Sequence, residues 1–201
     1  MQIYAATKNA GKLVELRDLF APYGVEVLAW ERYVEPEETA DSYEGNAAIK
    51  ARALREQLTS AGIRANVVAD DSGLEIAALG GRPGVQSARY HGAGATWAQR
   101  RAAILREVAE SGSDDRRARF VCVLWYIASD GRELSAEGVA EGELSRDERG
   151  QLGFAYDPIF YDPSEHATYG ELADVEKNKI SHRARAVHAL VQSLRAGEHK
   201  D

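Results

Sequence analysis

The stretch QIYAATKNAGKLVELRDLFAPYGVEVLAW, residues 2–30, reads as strand, turn, helix and strand. Gln2 to Ala6 is β-prone, and Thr7-Lys8-Asn9-Ala10-Gly11 has turn chemistry. From Lys12 onward Leu13, Leu16, Leu19 and Phe20 recur at helical spacing until Pro22 and Gly24 end the pattern. Val25 to Trp30 supplies a second strand.

The rest of the chain continues this alternation. An acidic segment, Glu31 to Glu44, holds six carboxylates against the single Arg32. Ala47, Ala51, Leu54 and Leu58 then mark an amphipathic helix that Gly62 closes. Asn66 to Ala69 is a buried-strand candidate that runs into a turn-like Asp70-Asp71-Ser72-Gly73. A helix is predicted from Thr96 to Ala109 with Thr96 as its N-cap. Arg117 to Ala128 and Glu133 to Ala140 read as strands joined at Ser129-Asp130-Gly131. Gly153 to Tyr161 reads as a short strand broken by Asp157-Pro158, and Ser181 caps a last helix striped by Val187, Leu190, Val191 and Leu194. Strands alternating with helices, plus one hairpin pair, predict an α/β fold on a mixed sheet, a single domain over 1–201.

Composition narrows the function. The chain has 201 residues and a formal net charge of −7, which argues against a polynucleotide binder that relies on broad attraction to a phosphate backbone. One small phosphorylated ligand in a locally basic site, with a divalent cation between the charges, is compatible with it. The single cysteine, Cys122, excludes an internal disulfide and a thiolate-rich zinc site. Lying inside the apolar run 120–128, it reads as core rather than nucleophile. That run is far short of the ~20 residues a membrane-spanning helix needs. The first twelve residues lack a basic segment followed by a long apolar stretch, so the expectation is a cytoplasmic protein with no membrane partner.

Five constellations bear on chemistry. Thr7, Lys8, Asn9 and Lys12 stand where a strand gives way to a helix, so free backbone N–H groups and polar side chains together suit phosphate oxygens; an ordinary solvated turn is the plain alternative. Asp70, Asp71 and Ser72 stand where an apolar strand is expected to end, which is where ligands sit in open α/β sheets. Adjacent carboxylates there suit a hard cation, and one of them can orient or deprotonate a water, although a capping turn uses the same residues. Glu35, Glu37, Glu38, Asp41 and Glu44 form either a solvated loop or a source of one further metal ligand, and Lys50 follows on the next helix. Phe154 and Tyr156, at alternate strand positions, would face one side and either stack on a base or fill core. Ser181-His182-Arg183, preceded by Lys177 and Lys179, offers donors to a carbonyl oxygen or simply surface charge. The hydrolase elbow Gly-x-Ser-x-Gly, the zinc motif His-Glu-x-x-His and a completed dinucleotide fingerprint are all absent, and the other histidines have no metal-ligand spacing.

These segments also share an order. Ala6 to Lys12 with Glu15, Glu37-Glu38-Thr39, Asn46-Ala47 with Lys50-Ala51, ADDSGLE at 69–75, ALGGRPGVQSARY at 78–90, GFAYDPIF at 153–160, Glu171-Leu172, Lys177 and ISHR at 180–183 together resemble the inosine/xanthosine triphosphate pyrophosphatase family. The resemblance runs from about residue 2 to residue 195. It implies an elongated mixed α/β sheet flanked by helices, two lobes with the active site in a cleft between them, and a homodimer. It further implies Mg2+-dependent cleavage of dITP, ITP and XTP between the α and β phosphates, giving the monophosphate and pyrophosphate. Carried over residue by residue, Asp71 is similar to the proton acceptor and metal ligand, with Glu37 or its neighbour Glu38 as the second metal carboxylate. Ser72 matches a substrate contact, and Thr7, Lys8, Asn9, Lys12 and Lys50 match the triphosphate end. Phe154, Ala155, Tyr156, Asp157, Lys177, His182 and Arg183 match the nucleoside end. A nucleotide-binding sensor without turnover, or a pyrophosphatase for other modified nucleotides, is the alternative; intact Asp71, Lys12 and Lys50 weigh against the sensor.

Two positions depart from the family pattern. Gly45 precedes Asn46-Ala47 where the family has glutamate, with Glu44 one position earlier, and Ala155 replaces a glycine in Gly-Phe-Gly-Tyr-Asp. Alanine should be tolerated at 155 unless the backbone there needs a positive φ, in which case the loop is expected to shift.

Overall fold

The structure, a computed structural model, describes residues 1–92 and 94–198. Its elements are β1 (Gln2–Ala5), α1 (Ala10–Phe20), β2 (Glu26–Ala29), α2 (Tyr43–Ser60), β3 (Asn66–Ile76), α3 (Trp97–Glu110), β4 (Arg117–Ile127), β5 (Glu133–Leu144), β6 (Phe160–Asp162), β7 (Ala167–Thr168), α4 (Asp174–Ile180) and α5 (His182–Glu198). The strands form one mixed sheet in the order β2-β1-β3-β4-β5-β6-β7. The α/β fold and mixed sheet read from the sequence are therefore present.

The chain divides into two compact units. The first comprises Met1–Asp71, Cys122–Gly138 and the chain from His182 onward. In it β1 pairs in parallel with both β2 and β3, Ile3 lying opposite Val27 and Asn66, so α1 and α2 are crossover helices. Asn9 caps α1, its Oδ1 accepting from the Lys12 N–H at 3.1 Å, and Ser42 caps α2 by accepting from the Gly45 N–H at 3.1 Å. The apolar stripes bury on two sides. Leu16, Leu19 and Phe20 of α1 pack with Val187, Leu190 and Val191 of α5, while Ala51, Leu54 and Leu58 of α2 pack with Val67 and Ala69 of β3.

The second unit comprises Ser72–Val121 and Val139–Ser181. Its core joins Ile104 and Val108 of α3 to Phe120, Phe160 and Tyr169. Thr96 caps α3 through a full capping box with Gln99, and β5, β6 and β7 run antiparallel. No helix among the described residues is long and apolar enough to cross a membrane.

Two local expectations are corrected, and one short helix stands where none was expected. Asp70 to Gly73 are not a turn at a strand end: β3 runs on to Ile76, because Lys12 and the buried Lys50 and Arg183 pair with the aspartates within the strand. Residues 153–156 are not strand either. Gly153 and Ala155 take φ of +68° and +54°, which breaks the alternation that would place Phe154 and Tyr156 on one side. The short helix α4 lies in a stretch too polar to show an apolar stripe, and its first turn carries Asp174 and Glu176, as the helix dipole favours.

Candidate active site

At the carboxyl end of β1 the chain turns tightly: Thr7 Oγ1 accepts from the Asn9 N–H at 3.1 Å and Asn9 caps α1. Backbone N–H groups at the head of an 11-residue helix favour negative charge, and Lys8 and Asn9 are exposed beside them. Lys12, on the first turn of α1, directs its ammonium back to the Asp70 carboxylate, and it keeps 17% of its side chain accessible whereas Asp70 keeps none.

Asp70 and Asp71 are consecutive on β3, so their side chains leave the strand on opposite faces. Asp70 is the centre of a buried ionic cluster. Its Oδ1 is paired with Lys12, and its Oδ2 accepts from Arg183 Nε at 2.8 Å and from the Cys122 thiol at 3.1 Å. Arg183 Nη1 is held by Glu15, which sits one helical turn beyond Lys12. Burial alone would raise the Asp70 carboxyl, but Arg183, Lys12 and Lys50 outweigh it and hold the group well below the usual carboxylate range. Burial, then Asp70, pushes the Cys122 thiol well up, which fits a donor and not a nucleophile.

Asp71 faces a different set. Lys50, buried on α2, donates to Asp71 Oδ1 and to Glu38 Oε1, both at 2.8 Å. Burial works against the Lys50 ammonium, yet Asp71 and Glu38 more than offset it, so lysine keeps its proton more firmly than usual. For Asp71 burial dominates and pushes the carboxyl up, despite Lys50 and Lys12. Asp71 Oδ2 is buried and has no hydrogen-bond partner among the described residues. Leaving such an oxygen unsatisfied costs about 1–3 kcal/mol, and a native fold keeps it where a ligand or water uses it.

The structure ties Glu38 to Asp71 through Lys50, whereas Glu37 is exposed. Glu44 accepts from Ser135 Oγ at 3.0 Å, and Gly45 is required by its surroundings: a Cβ there would lie 2.6 Å from Ala40 Cβ. His182 is buried at the start of α5.

The second unit holds the remaining candidates. Ser72 is half-buried on β3. Asp157 Oδ2 accepts from the Phe154 N–H at 2.8 Å and from Lys177 Nζ at 3.0 Å, and that ammonium lies 5.2 Å from the centre of the Phe154 ring. Ala155 takes a positive φ, and its carbonyl accepts from Arg101 Nη1 at 2.8 Å. Tyr156 is core: its ring meets Trp97 edge-on at 5.3 Å and its hydroxyl donates to the Ser87 carbonyl at 2.8 Å.

Residues 3–193 match the Ham1 family model. The chain belongs to the Ham1 family. It is 44% identical over 193 residues to the dITP/XTP pyrophosphatase of Geobacillus kaustophilus, spanning 94% of this chain and 92% of that protein. Among solved structures, a HAM1 protein from Coxiella burnetii superposes with a TM-score of 0.86 at 38% identity, covering 98% of this chain and 99% of that one. The Staphylococcus aureus Ham1 protein gives 0.82 at 34% identity, covering 98% and 100%.

Sequence reading left three of the site's groups without a role. Glu15 entered only as part of a motif, Asp70 as the neighbour of Asp71, and Cys122 as core. The i, i+3 spacing of Lys12 and Glu15 was the one local signal that two opposite charges share a helix face.

Proposed function

We propose that this Ham1-family chain is a Mg2+-dependent nucleoside-triphosphate diphosphatase for dITP, ITP and XTP, acting over 1–201 as one enzyme domain, cytoplasmic and homodimeric. The observation that carries the reading is the pair of buried consecutive aspartates, one paired with Lys12 and the other with Lys50, whose carboxyls are shifted in opposite directions. It is supported by the relatives named dITP/XTP pyrophosphatase.

A triphosphate brings roughly four negative charges, which cannot sit beside carboxylates without cations. The carboxylate set fits a hard cation, since Asp71 Oδ2 is a buried oxygen with no partner among the described residues. No group of three or more His, Cys, Asp or Glu among the described residues is placed to hold an ion alone, and Mg2+ characteristically takes one or two carboxylates and completes its shell with water and phosphate. Asp71 and Glu37 would hold it, with Glu38 the glutamate tied to Lys50. Bound there, the cation would neutralise phosphate charge and polarise the reacting phosphoryl group.

The protein's own steps follow. Asp71, desolvated and with its carboxyl pushed up by burial, orients a water and takes its proton as the water oxygen bonds to phosphorus. The bridging oxygen between the α and β phosphates leaves with pyrophosphate, and Lys12 and Lys50 neutralise the charge it gains. Thr7, Lys8 and Asn9 receive phosphate oxygens at the head of α1, and Ser72 contacts the substrate near Asp71 in sequence. Phe154, Ala155, Asp157 and Lys177 serve the nucleoside end, where Tyr156 supports the turn from the core. His182 and Arg183 are the donors for a 6-oxo purine; adenine presents an amino donor there and would leave them unpaired. Replacing either His182 or Arg183 should therefore change ITP over ATP preference, and because described bonds of Arg183 also go to Asp70 and Glu15, replacing Arg183 should lower both activities as well.

A panel of ITP, dITP, XTP, GTP, ATP and dUTP, scored by kcat/KM with release of pyrophosphate and not orthophosphate, tests the reading. ITP, dITP and XTP should lead, and chelation of Mg2+ should abolish turnover. Equal hydrolysis of ATP and ITP would overturn the substrate assignment. Orthophosphate as product would overturn the bond assignment, and light scattering on the eluting protein checks the dimer.

A further inference from the structure

Lys12, Asp70, Arg183 and Glu15 form a charge-balanced quartet that begins and ends on α1. Glu15 and Lys12 stand three residues apart on one face of the helix, and each is paired to a buried group brought in from another element, Arg183 from α5 and Asp70 from β3. Arg183 joins those two groups through Nε on Asp70 and Nη1 on Glu15, and three of the four side chains are at least nine-tenths buried. Lys12 is the exception, its side chain 17% accessible. The position of the one accessible cation therefore depends on a carboxylate that is itself set by an arginine, and the arginine is anchored by Glu15.

We propose that Glu15 is a positioning residue for phosphate binding: through Arg183 and Asp70 it fixes the Lys12 ammonium at the head of α1, so that phosphate meets a cation already in place. A mobile lysine loses rotamer freedom when it engages an anion, and pre-ordering removes that loss from the binding step. A cluster built only for stability would need no accessible member. The inference rests on the reading of Lys12 as a phosphate residue.

The charge-conserving variant Glu15→Asp shortens the reach to Arg183 by one methylene while leaving the net charge of the quartet unchanged. KM for ITP with Mg2+, and the dissociation constant for inorganic pyrophosphate with Mg2+ from calorimetry, should both rise roughly tenfold. In a Lys12→Ala background the same change should add nothing to either constant. Unchanged constants in Glu15→Asp, or an equal rise with and without Lys12, would overturn the proposal. If Glu15→Asp does not fold, Glu15→Gln keeps the length and an acceptor for Arg183 Nη1. The field it removes is the same in both Lys12 backgrounds and cancels in the double-mutant cycle, so a residual coupling between positions 12 and 15 is expected and additivity would overturn the proposal. Should Lys12→Ala alone leave both constants unaltered, the phosphate role of Lys12 fails, an outcome distinct from a silent Glu15.

Discussion

Ala155 is the residue whose replacement should improve this protein. Its φ of +54° places an L-residue in the left-handed region, at a cost of roughly 1–2 kcal/mol that glycine avoids. The turn cannot relax, because each neighbour is held. Gly153, at φ +68°, lies so close to Asp157 that a Cβ would be 2.2 Å from Oδ2. The Asp157 N–H donates to the Phe154 carbonyl at 3.1 Å, Arg101 holds the Ala155 carbonyl, and Tyr156 is locked in the core. Glycine gives back part of the gain through its freer unfolded chain, about 0.4–1 kcal/mol. Ala155→Gly should therefore stabilise by about 0.5–1 kcal/mol, a rise in melting temperature of roughly 1–4 °C for a chain of this size. Thermal unfolding followed by circular dichroism measures it, with Ala155→Val as the opposite arm, since a β-branched residue is worse placed at positive φ. A melting temperature unchanged or lower in the glycine variant, or no loss in the valine variant, would refute the reasoning.

Asp71→Asn should lower kcat by roughly 10²–10⁴-fold with no loss of melting temperature, because it removes a desolvated carboxylate; near-normal turnover would end the assignment of Asp71 as base. Asp70→Asn should instead cost about 3–5 kcal/mol at neutral pH by leaving Arg183 and Lys12 without their shared counter-ion. The Asp70 carboxyl titrates lower in the folded chain than in the unfolded one, so its contribution is complete above the ordinary aspartate value and is lost as pH falls through the folded-state value. Urea unfolding from neutral pH into acid should show a shallower decline for Asp70→Asn than for the unaltered chain, and parallel declines would contradict the pairing. Gly153→Ala should lose about 1–3 kcal/mol in the same assay, since the added methyl meets the Asp157 carboxylate at a positive φ.

Legibility in the sequence followed from how local the determining physics was. The helices α1, α2 and α3 were readable because each carries its own apolar stripe and capping residue within a few positions. The continuation of β3 through Asp70-Asp71-Ser72-Gly73 was not, since what makes those carboxylates tolerable in a strand is Lys12, Lys50 and Arg183, and the arginine lies 113 residues away. Nor was the turn at 153–156: two aromatics at alternate positions satisfy a strand pattern equally well, and only the close approach of Asp157 to Gly153 forces the other conformation. Candidate residues of the phosphate end were identifiable by type, but Glu15 was silent because its partner is an arginine at the far end of the chain.

The two consecutive aspartates show how position on a strand can do what residue type cannot. Asp70 and Asp71 have the same side chain, adjacent backbones and deep burial, which by itself would raise both carboxyls. The period of two sends one toward Arg183 of α5 and Lys12 of α1, and the other toward Lys50 of α2. Two cations anchored against Asp70 turn it into a permanent counter-ion. Asp71 shares its single lysine with Glu38 and retains an oxygen without a partner among the described residues, so desolvation prevails and leaves it the more basic of the two. Each role therefore belongs to a face of β3. A one-residue insertion between Ala69 and Asp70 would turn both carboxylates to the wrong partners, and it should abolish turnover and destabilise the first unit together, whereas Asp71→Asn separates the two effects.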